Sequence, residues 1–420
     1  CVRYDCMSNV IRGCDVQFDI TVPVVVIGAG AAGLIAGLAA HEKGVEVLIV
    51  EREASPSGST ALSSGLIPAC GTRWQAAINV VDDVETFSKD IQYKNKKQAD
   101  ELLVHKACSL SGEVLHWLVD NHGQQFDLID SFLYPGHSVH RMHCHPKRTG
   151  KALIDSLVTA VNKAGVDIIN SATVTDIFAS KTSNIRGIRI LRPDGSTEDI
   201  GCDSLILACN GFGGNSSMVS KYIPEMADAM YFGHPGNLGD AVNWGVELGA
   251  AIKNMGAYQG HGSVAIPHGA LITWAIMMEG GIQLNSTGRR FSNEHEGYSE
   301  QSIKVLQQPG GIAWNIYDER LHQLGLEFED YRGALENGAI KHFASVDELA
   351  RSIGASSEIT TSSLEDLKAF EIGKKHCPFG RNFQKTGAIK GPPYYGVKVT
   401  GALFHTQGAV SYTHLRAHET

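Results

Sequence analysis

The sequence predicts an α/β fold built on a doubly wound parallel sheet, and three observations carry that reading. A β-branched run, Val24 to Ile27, ends on a glycine turn; a helix of small residues follows to about Glu42; and a second apolar run, Val45 to Val50, closes on Glu51. Gly28, Gly30 and Gly33 form G-x-G-x-x-G. In such a turn the first glycine permits the tight strand-to-helix reversal and the second lets a pyrophosphate approach the backbone. The third lets helix and strand pack closely, with the helix N-terminus facing the anion. Glu51 stands where an acid binds a ribose hydroxyl. Strand, turn, helix and spaced acid together predict a dinucleotide site. Val22 to Ala40 is long and apolar enough to suggest a membrane span, but its four glycines and the acid-ended strand after it argue against one.

The chain has 420 residues, 43% of them hydrophobic, enough for a large core and two or three domains. Its net charge of −9 and the lack of a long basic block argue against nucleic acid as a partner. Nine scattered cysteines form no C-x-x-C pair, which gives iron–sulfur or structural zinc ligation no support. With no leader pattern at the start, the expected setting is reducing and cytoplasmic. Met7 would make a natural start. Val410 to Thr420 breaks abruptly with what precedes it and reads as a translated sequencing adapter, so the native sequence is expected to stop near Ala409 with its true C-terminus missing.

After Glu51, Ser55 to Leu66 is rich in hydroxyls and glycine, as a loop against a phosphate or polar ring would be. Helical periodicity covers Val84 to Asn121 and Lys151 to Ala164, and β-like runs fill Val166 to Ile200. Ser204 to Ala208 is a buried strand running into C-N-G-F-G-G-N, a second glycine-rich approach to the ligand. Gly239-Asp240 opens a helix through Leu248. Gly281 to Glu294 reads as a hairpin turning at Asn285 to Gly288, Ser345 to Glu348 as a capping box, and Tyr394 to Leu403 as a strand.

Several of these motifs together resemble a family: the flavoprotein subunit of fumarate reductase and succinate dehydrogenase, with its relative 3-ketosteroid Δ1-dehydrogenase. The likeness rests on G-A-G-A-A-G with Glu51, S-G-S-T-A-L-S-S-G, L-A-C-N-G-F-G-G-N, N-L-G-D-A with E-L-G-A-A, R-R-F-S-N-E, S-V-D-E-L-A and P-P-Y-Y-G-V-K-V. It implies a doubly wound, Rossmann-like FAD-binding domain with an inserted α+β capping domain. The implied divisions are 20–260 and 386–409 for the FAD domain, 261–385 for the cap, and 410–420 for a non-native tail. Ala32 and Glu51 then match positions holding the ADP half, and Ser59, Thr60, Ser64 and Gly65 the loop against pyrophosphate and flavin. Val174 matches a contact near the adenine and Asp240 a further cofactor contact. Members with covalent flavin carry a His in the hydroxyl loop; Gly58 and Ser59 stand there, so the FAD is expected to be non-covalent.

The resemblance implies hydride transfer between flavin N5 and a C–C or C=C bond, beside a carbonyl or carboxylate that donors hold and polarise. His261, Thr273 and His405 match substrate-holding positions of fumarate reductases. The proton-donating Arg of those enzymes is Tyr298 here, and the Glu and Arg that relay protons to it are Trp274 and Met277. Ketosteroid dehydrogenases carry a Tyr after R-F-x-N-E, and Tyr395 matches a Tyr that polarises their ketone. The site is therefore mixed, and the substrate is read as an unsaturated or saturable carbonyl compound or carboxylate other than fumarate, with an unidentified electron donor or acceptor. The alternatives are a ketosteroid dehydrogenase, a non-catalytic flavin module, and a disulfide-type reductase, the last disfavoured by the missing C-x-x-C and second G-x-G-x-x-G. The run His137 to His145 could supply metal ligands, but reads better as a loop lining the substrate cavity through Arg141 and His143.

Overall fold

Val24–Ile27 pairs in parallel with Ser204–Leu207 on one side and Val47–Val50 on the other, and Asp167–Ile169 completes a four-stranded parallel sheet. The computed structural model describes residues 9–13 and 16–408, so the expectations for Met7 and for the tail from Val410 lie outside the described residues. Both faces of this sheet are covered, as its unbroken apolar strands require. Val26 and Ile49 face the helices Ala31–His41 and Gly150–Ala164, packing with Leu34, Leu38, Ile154 and Leu157. Val25, Leu48 and Val50 face the other way, toward Ile177, Ile188 and Ile200 of a five-stranded sheet and toward Trp244.

The glycine turn is closed by contacts that no side chain would survive. Gly28 has φ +103°, and a Cβ there would lie 2.6 Å from the Ala208 carbonyl oxygen. A Cβ on Gly33 would lie 1.9 Å from the carbonyl oxygen of Gly28, which is the helix–strand approach its spacing predicts.

A seven-stranded sheet forms the second body. Tyr394–Thr406 runs through it, antiparallel to Ile312–Asp318 on one side and, on the other, to Ile340–Phe343 along its first residues and Tyr258–Ala265 along its last. The expected boundary at 261 therefore falls inside one strand. The expected returning segment 386–409 includes this central strand, which also pairs in parallel with Met230–Tyr231 and whose Thr406 Oγ1 accepts a hydrogen bond from the Phe212 N–H, 3.0 Å.

Two local expectations are corrected. The helical stretch from Val84 divides into Val84–Lys94 and Glu101–His122, because Lys96 and Lys97 take positive φ and Asp100 caps a new helix. The turn at Asn285 to Gly288 forms, closed by the Gly288 N–H to the Asn285 oxygen at 2.9 Å, but it does not make a hairpin. Ile282–Leu284 pairs instead with Ile312–Asp318. The second limb is pulled inward by Glu294, whose buried carboxylate takes Arg290 at 2.6 Å, Arg381 at 3.0 Å and the backbone N–H of Gln283 at 3.1 Å. Burial alone would raise this carboxyl; the two guanidiniums bring it down to about 2. R-R-F-S-N-E is thus a structural knot that fixes the chain just before Tyr298.

Among the described residues, no helix is long and apolar enough to cross a membrane, and no three His, Cys, Asp or Glu gather as metal ligands would. Six described cysteines are free.

Candidate active site

Two cavities meet at the hydroxyl loop. The first, about 440 Å³, is walled by Gly28, Gly30, Ala32, Glu51, Ser59, Thr60, Val174 and Asp240. The second, about 660 Å³, is walled by Ser59, Thr60, Ser64, Gly65, His261, Thr273, Tyr298 and His405. Ala31, Ser59, Thr60 and Asn210 border both. Local chemistry places these groups. Glu51 is buried at the strand end, where its two oxygens accept the N–H groups of Ala29 (2.8 Å) and Glu53 (3.0 Å). Thr60 Oγ1 accepts the N–H of Ala31 at the helix start, 3.2 Å. Ser59 Oγ is held by the amides of Asn210 (2.8 Å) and Asn237 (3.0 Å). Asp240, in the first turn of Asp240–Glu247, lies 3.9 Å from Arg52.

In the second cavity four rings stack in a column: Tyr298 on His261 (5.0 Å), His261 on Phe404 (5.2 Å) and Phe404 on Phe232 (5.1 Å). Trp274 meets the His261 ring edge-on. His261 Nδ1 accepts the Ser263 N–H at 3.1 Å, which leaves the ring proton on Nε2. Burial lowers its pKa to about 3, so His261 is a neutral donor at physiological pH. Burial lowers His405 as well. Burial raises Tyr298, and the Glu300 carboxylate adds to the effect; its phenol therefore carries its proton at neutral pH. One cavity wall thus carries a neutral imidazole N–H, the Thr273 hydroxyl and a protonated phenol.

Tyr395 is not brought to this cavity. Its hydroxyl donates to Glu319 at 2.5 Å, and its ring stacks on His322 at 4.1 Å. Tyr395 and His405 sit ten residues apart on one strand, about 33 Å at the rise of a β-strand, so they cannot serve one small substrate. Arg141 and His143 also fail to reach it. Arg141 is fully buried between Asp82 (2.8 Å) and Asp90, over the Phe87 ring, while His143 is buried against Thr72. Only Met142 of that run borders the cavity.

Sequence reasoning missed Asn210, Phe404 and Asp330. Asn210 has φ +66°, a conformation Asn tolerates after a strand, and its place in C-N-G-F-G-G-N was the available signal. Phe404 and Asp330 carry none, because each reaches the cavity through tertiary packing.

The residues present fit an FAD. The glycine turn and Glu51 wall one end of a two-chambered cavity, and Trp244, on the first chamber's wall, has a buried indole N–H with no hydrogen-bond partner among the described residues. The Trp274 indole N–H, on the second chamber's wall, is likewise unpartnered. Comparison with known proteins agrees. A probable fumarate reductase of Shewanella frigidimarina is 29% identical over 93% of this chain, and the chain spans 66% of that relative's length. The open conformation of a flavocytochrome c3 fumarate reductase superposes with a TM-score of 0.77 at 29% identity, covering 94% of this chain and 69% of that one. A 3-ketosteroid-Δ4-(5α)-dehydrogenase from Rhodococcus jostii shares the fold, with a TM-score of 0.74 at 23% identity over 95% of this chain and 87% of its own. The model of the FAD binding domain family matches residues 23–410, and the chain belongs to that family.

Proposed function

We propose that this chain is an FAD-dependent oxidoreductase acting on a C–C or C=C bond beside a carbonyl or carboxylate. The observation that carries the proposal is the convergence of His261, Thr273, Tyr298 and His405 on one cavity, joined to the glycine-turn cavity through Ser59 and Thr60. Glu51, Ala32, Val174 and Asp240 would hold the ADP half, and Ser59, Thr60, Ser64 and Gly65 the remainder, without a covalent bond. When bound, FAD supplies a hydride donor or acceptor at N5. His261, through Nε2–H, and Thr273 and His405 hold and polarise the substrate oxygen. Tyr298 delivers a proton to the neighbouring carbon. Burial and Glu300 keep its phenol protonated, the form that can deliver a proton. The aromatic column around His261 excludes water from the polarised oxygen.

The ketosteroid reading takes support from Tyr298 but loses its second tyrosine, since Tyr395 is engaged with Glu319. A non-catalytic flavin module would leave the four convergent polar groups without a role. The scattered free cysteines favour a reducing, cytoplasmic setting, and the electron partner is unidentified. The test is anaerobic: the bound flavin is reduced, then mixed with a series of enoates and enones, including a steroid enone. Reoxidation by an enoate or simple enone is expected. If none of them reoxidises it, the non-catalytic reading replaces this one.

A further inference from the structure

An acid works only when its proton is held within reach of the atom that receives it. Tyr298 is held from two sides. On the inner side its ring stacks on His261, and Ser299 Oγ accepts the Gly260 N–H at 3.0 Å, so both residues are tied to the strand Tyr258–Ala265. On the outer side the tie comes from a helix distant in the sequence. Lys94, the last residue of Val84–Lys94, donates to the Glu296 carbonyl oxygen at 2.5 Å and pairs with the Glu300 carboxylate at 2.6 Å. These two groups flank Gly297 and Tyr298, the start of the helix Tyr298–Leu306. Gly297 has φ +124°, and a Cβ there would lie 2.8 Å from both Lys94 Nζ and Glu300 Oε2. The Lys94 stem lies against Gly136, where a Cβ would sit 3.0 Å from Lys94 Cδ. Gly136 follows Tyr134 and Pro135, which border the second cavity together with Tyr298. The Glu296 carboxylate is held in turn by Lys304 of the Tyr298 helix, at 2.5 Å. One ammonium thus joins a helix end, a cavity loop and the turn that presents Tyr298.

Building on the function proposed above, we infer that Lys94 is a positioning residue for the proton step, seating the turn Glu296–Gly297 so that Tyr298 meets the substrate carbon. Lys94 acts through Tyr298 and takes no part in the bond changes. A displacement of about 1 Å at a reacting group costs about 10² in rate, so a clamp of this kind matters more to turnover than to stability. The pair is 35% and 38% exposed, and exposed pairs of this kind add little to stability, so replacing Lys94 leaves the fold standing.

The test compares FAD-loaded wild type, Lys94→Met and Lys94→Arg. Anaerobic reoxidation of the reduced flavin by an enoate is followed in H2O and in D2O, and amide hydrogen exchange is measured over residues 297–301. Lys94→Met is expected to be reoxidised about tenfold or more slowly. Its solvent isotope effect is expected to exceed that of wild type, because a misplaced phenol makes proton transfer the slower step. A loss of folded or flavin-loaded protein would not change that ratio. Exchange is expected to quicken at the Gln301 N–H, which donates to the Gly297 oxygen at 3.1 Å. Lys94→Arg, which keeps a cationic donor, is expected to recover most of the rate. Lys94→Met matching wild type in rate, or slowed with an unchanged isotope effect, would overturn the inference while leaving hydride transfer standing. Unchanged exchange at Gln301 would also overturn it. Wild-type flavin that no alkene reoxidises is a different failure: it removes the hydride-transfer reading, and the positioning role falls with it.

Discussion

The Tyr298 ring lies 5.0 Å from that of His261 and 15° from parallel with it, so the proposed acid and the proposed polarising donor are held as one stacked unit. Each is fixed by a different part of the sequence. Tyr298 begins the helix Tyr298–Leu306, directly after the Glu294 knot, while His261 sits in the strand Tyr258–Ala265, with its tautomer set by the Ser263 N–H. Neither ring can turn without disturbing the other.

His261→Ala removes a donor and one face of that stack. The expected outcome in steady-state kinetics is a fall in kcat/KM of about 10² or more, the scale of losing one preorganised oxyanion donor. FAD content is expected to stay unchanged, since His261 lies away from the glycine-turn cavity. Loss of FAD with retained turnover per flavin would contradict the assignment.

Tyr395→Phe separates the fumarate-reductase-like reading from the steroid-like one. Because the Tyr395 hydroxyl is occupied by Glu319 and lies far along the strand from His405, turnover is expected to stay at the wild-type level. A drop comparable to that of a Tyr298 variant would mean that Tyr395 reaches the substrate after all.

Glu294→Gln tests the knot. The change leaves the buried guanidiniums of Arg290 and Arg381 facing a neutral amide. Breaking a buried pair on one side costs about 3–5 kcal/mol, to be read from denaturant unfolding of wild type and variant. A loss within the scatter of surface substitutions would show that the knot is dispensable.

Acid should weaken the fold at mild pH. Burial holds His137, His143 and His295 down to about 4, and His261 to about 3, against an ordinary value of 6.5. Between those limits the unfolded chain binds more protons than the native one, so stability is lost as pH falls from 6.5 toward 4, by up to ~1.4 kcal/mol per pH unit per histidine. Glu294 adds a further loss below 4.5, as its carboxylate is protonated on the way to about 2. Unfolding free energies measured at pH 7, 6 and 5 check the histidine part, and a flat profile would contradict it.

The cofactor half of the site was legible in the sequence because local rules fix it. Gly28, Gly33, Glu51 and Asp240 follow from turn geometry and strand ends, which read out over a few residues. The substrate half was legible only in part. His261, Thr273, Tyr298 and His405 come from four separate stretches, and nothing local says that they meet. Tyr395 misled because a match along the chain does not report how far a thirteen-residue strand carries one end from the other. Arg141 and His143 misled for a related reason: a His- and Arg-rich run suggests chemistry, but here Asp82 and Asp90 neutralise the arginine in the interior. Phe404 was silent because its neighbour His405 points to the chemistry, and the role of Phe404 in the aromatic column exists only once the sheets have packed.

The most direct measurement is the anaerobic reoxidation of reduced flavin by an enoate, in wild type and in Tyr298→Phe, with flavin absorbance followed in a stopped-flow instrument. The phenylalanine keeps the stacked ring and removes only the hydroxyl that carries the proton. The expected result is rapid reoxidation in wild type and a rate lower by about 10²–10⁴ in the variant, the range of a lost general acid, with FAD content unchanged. Equal rates in the two proteins would contradict the central claim that Tyr298 is the proton donor.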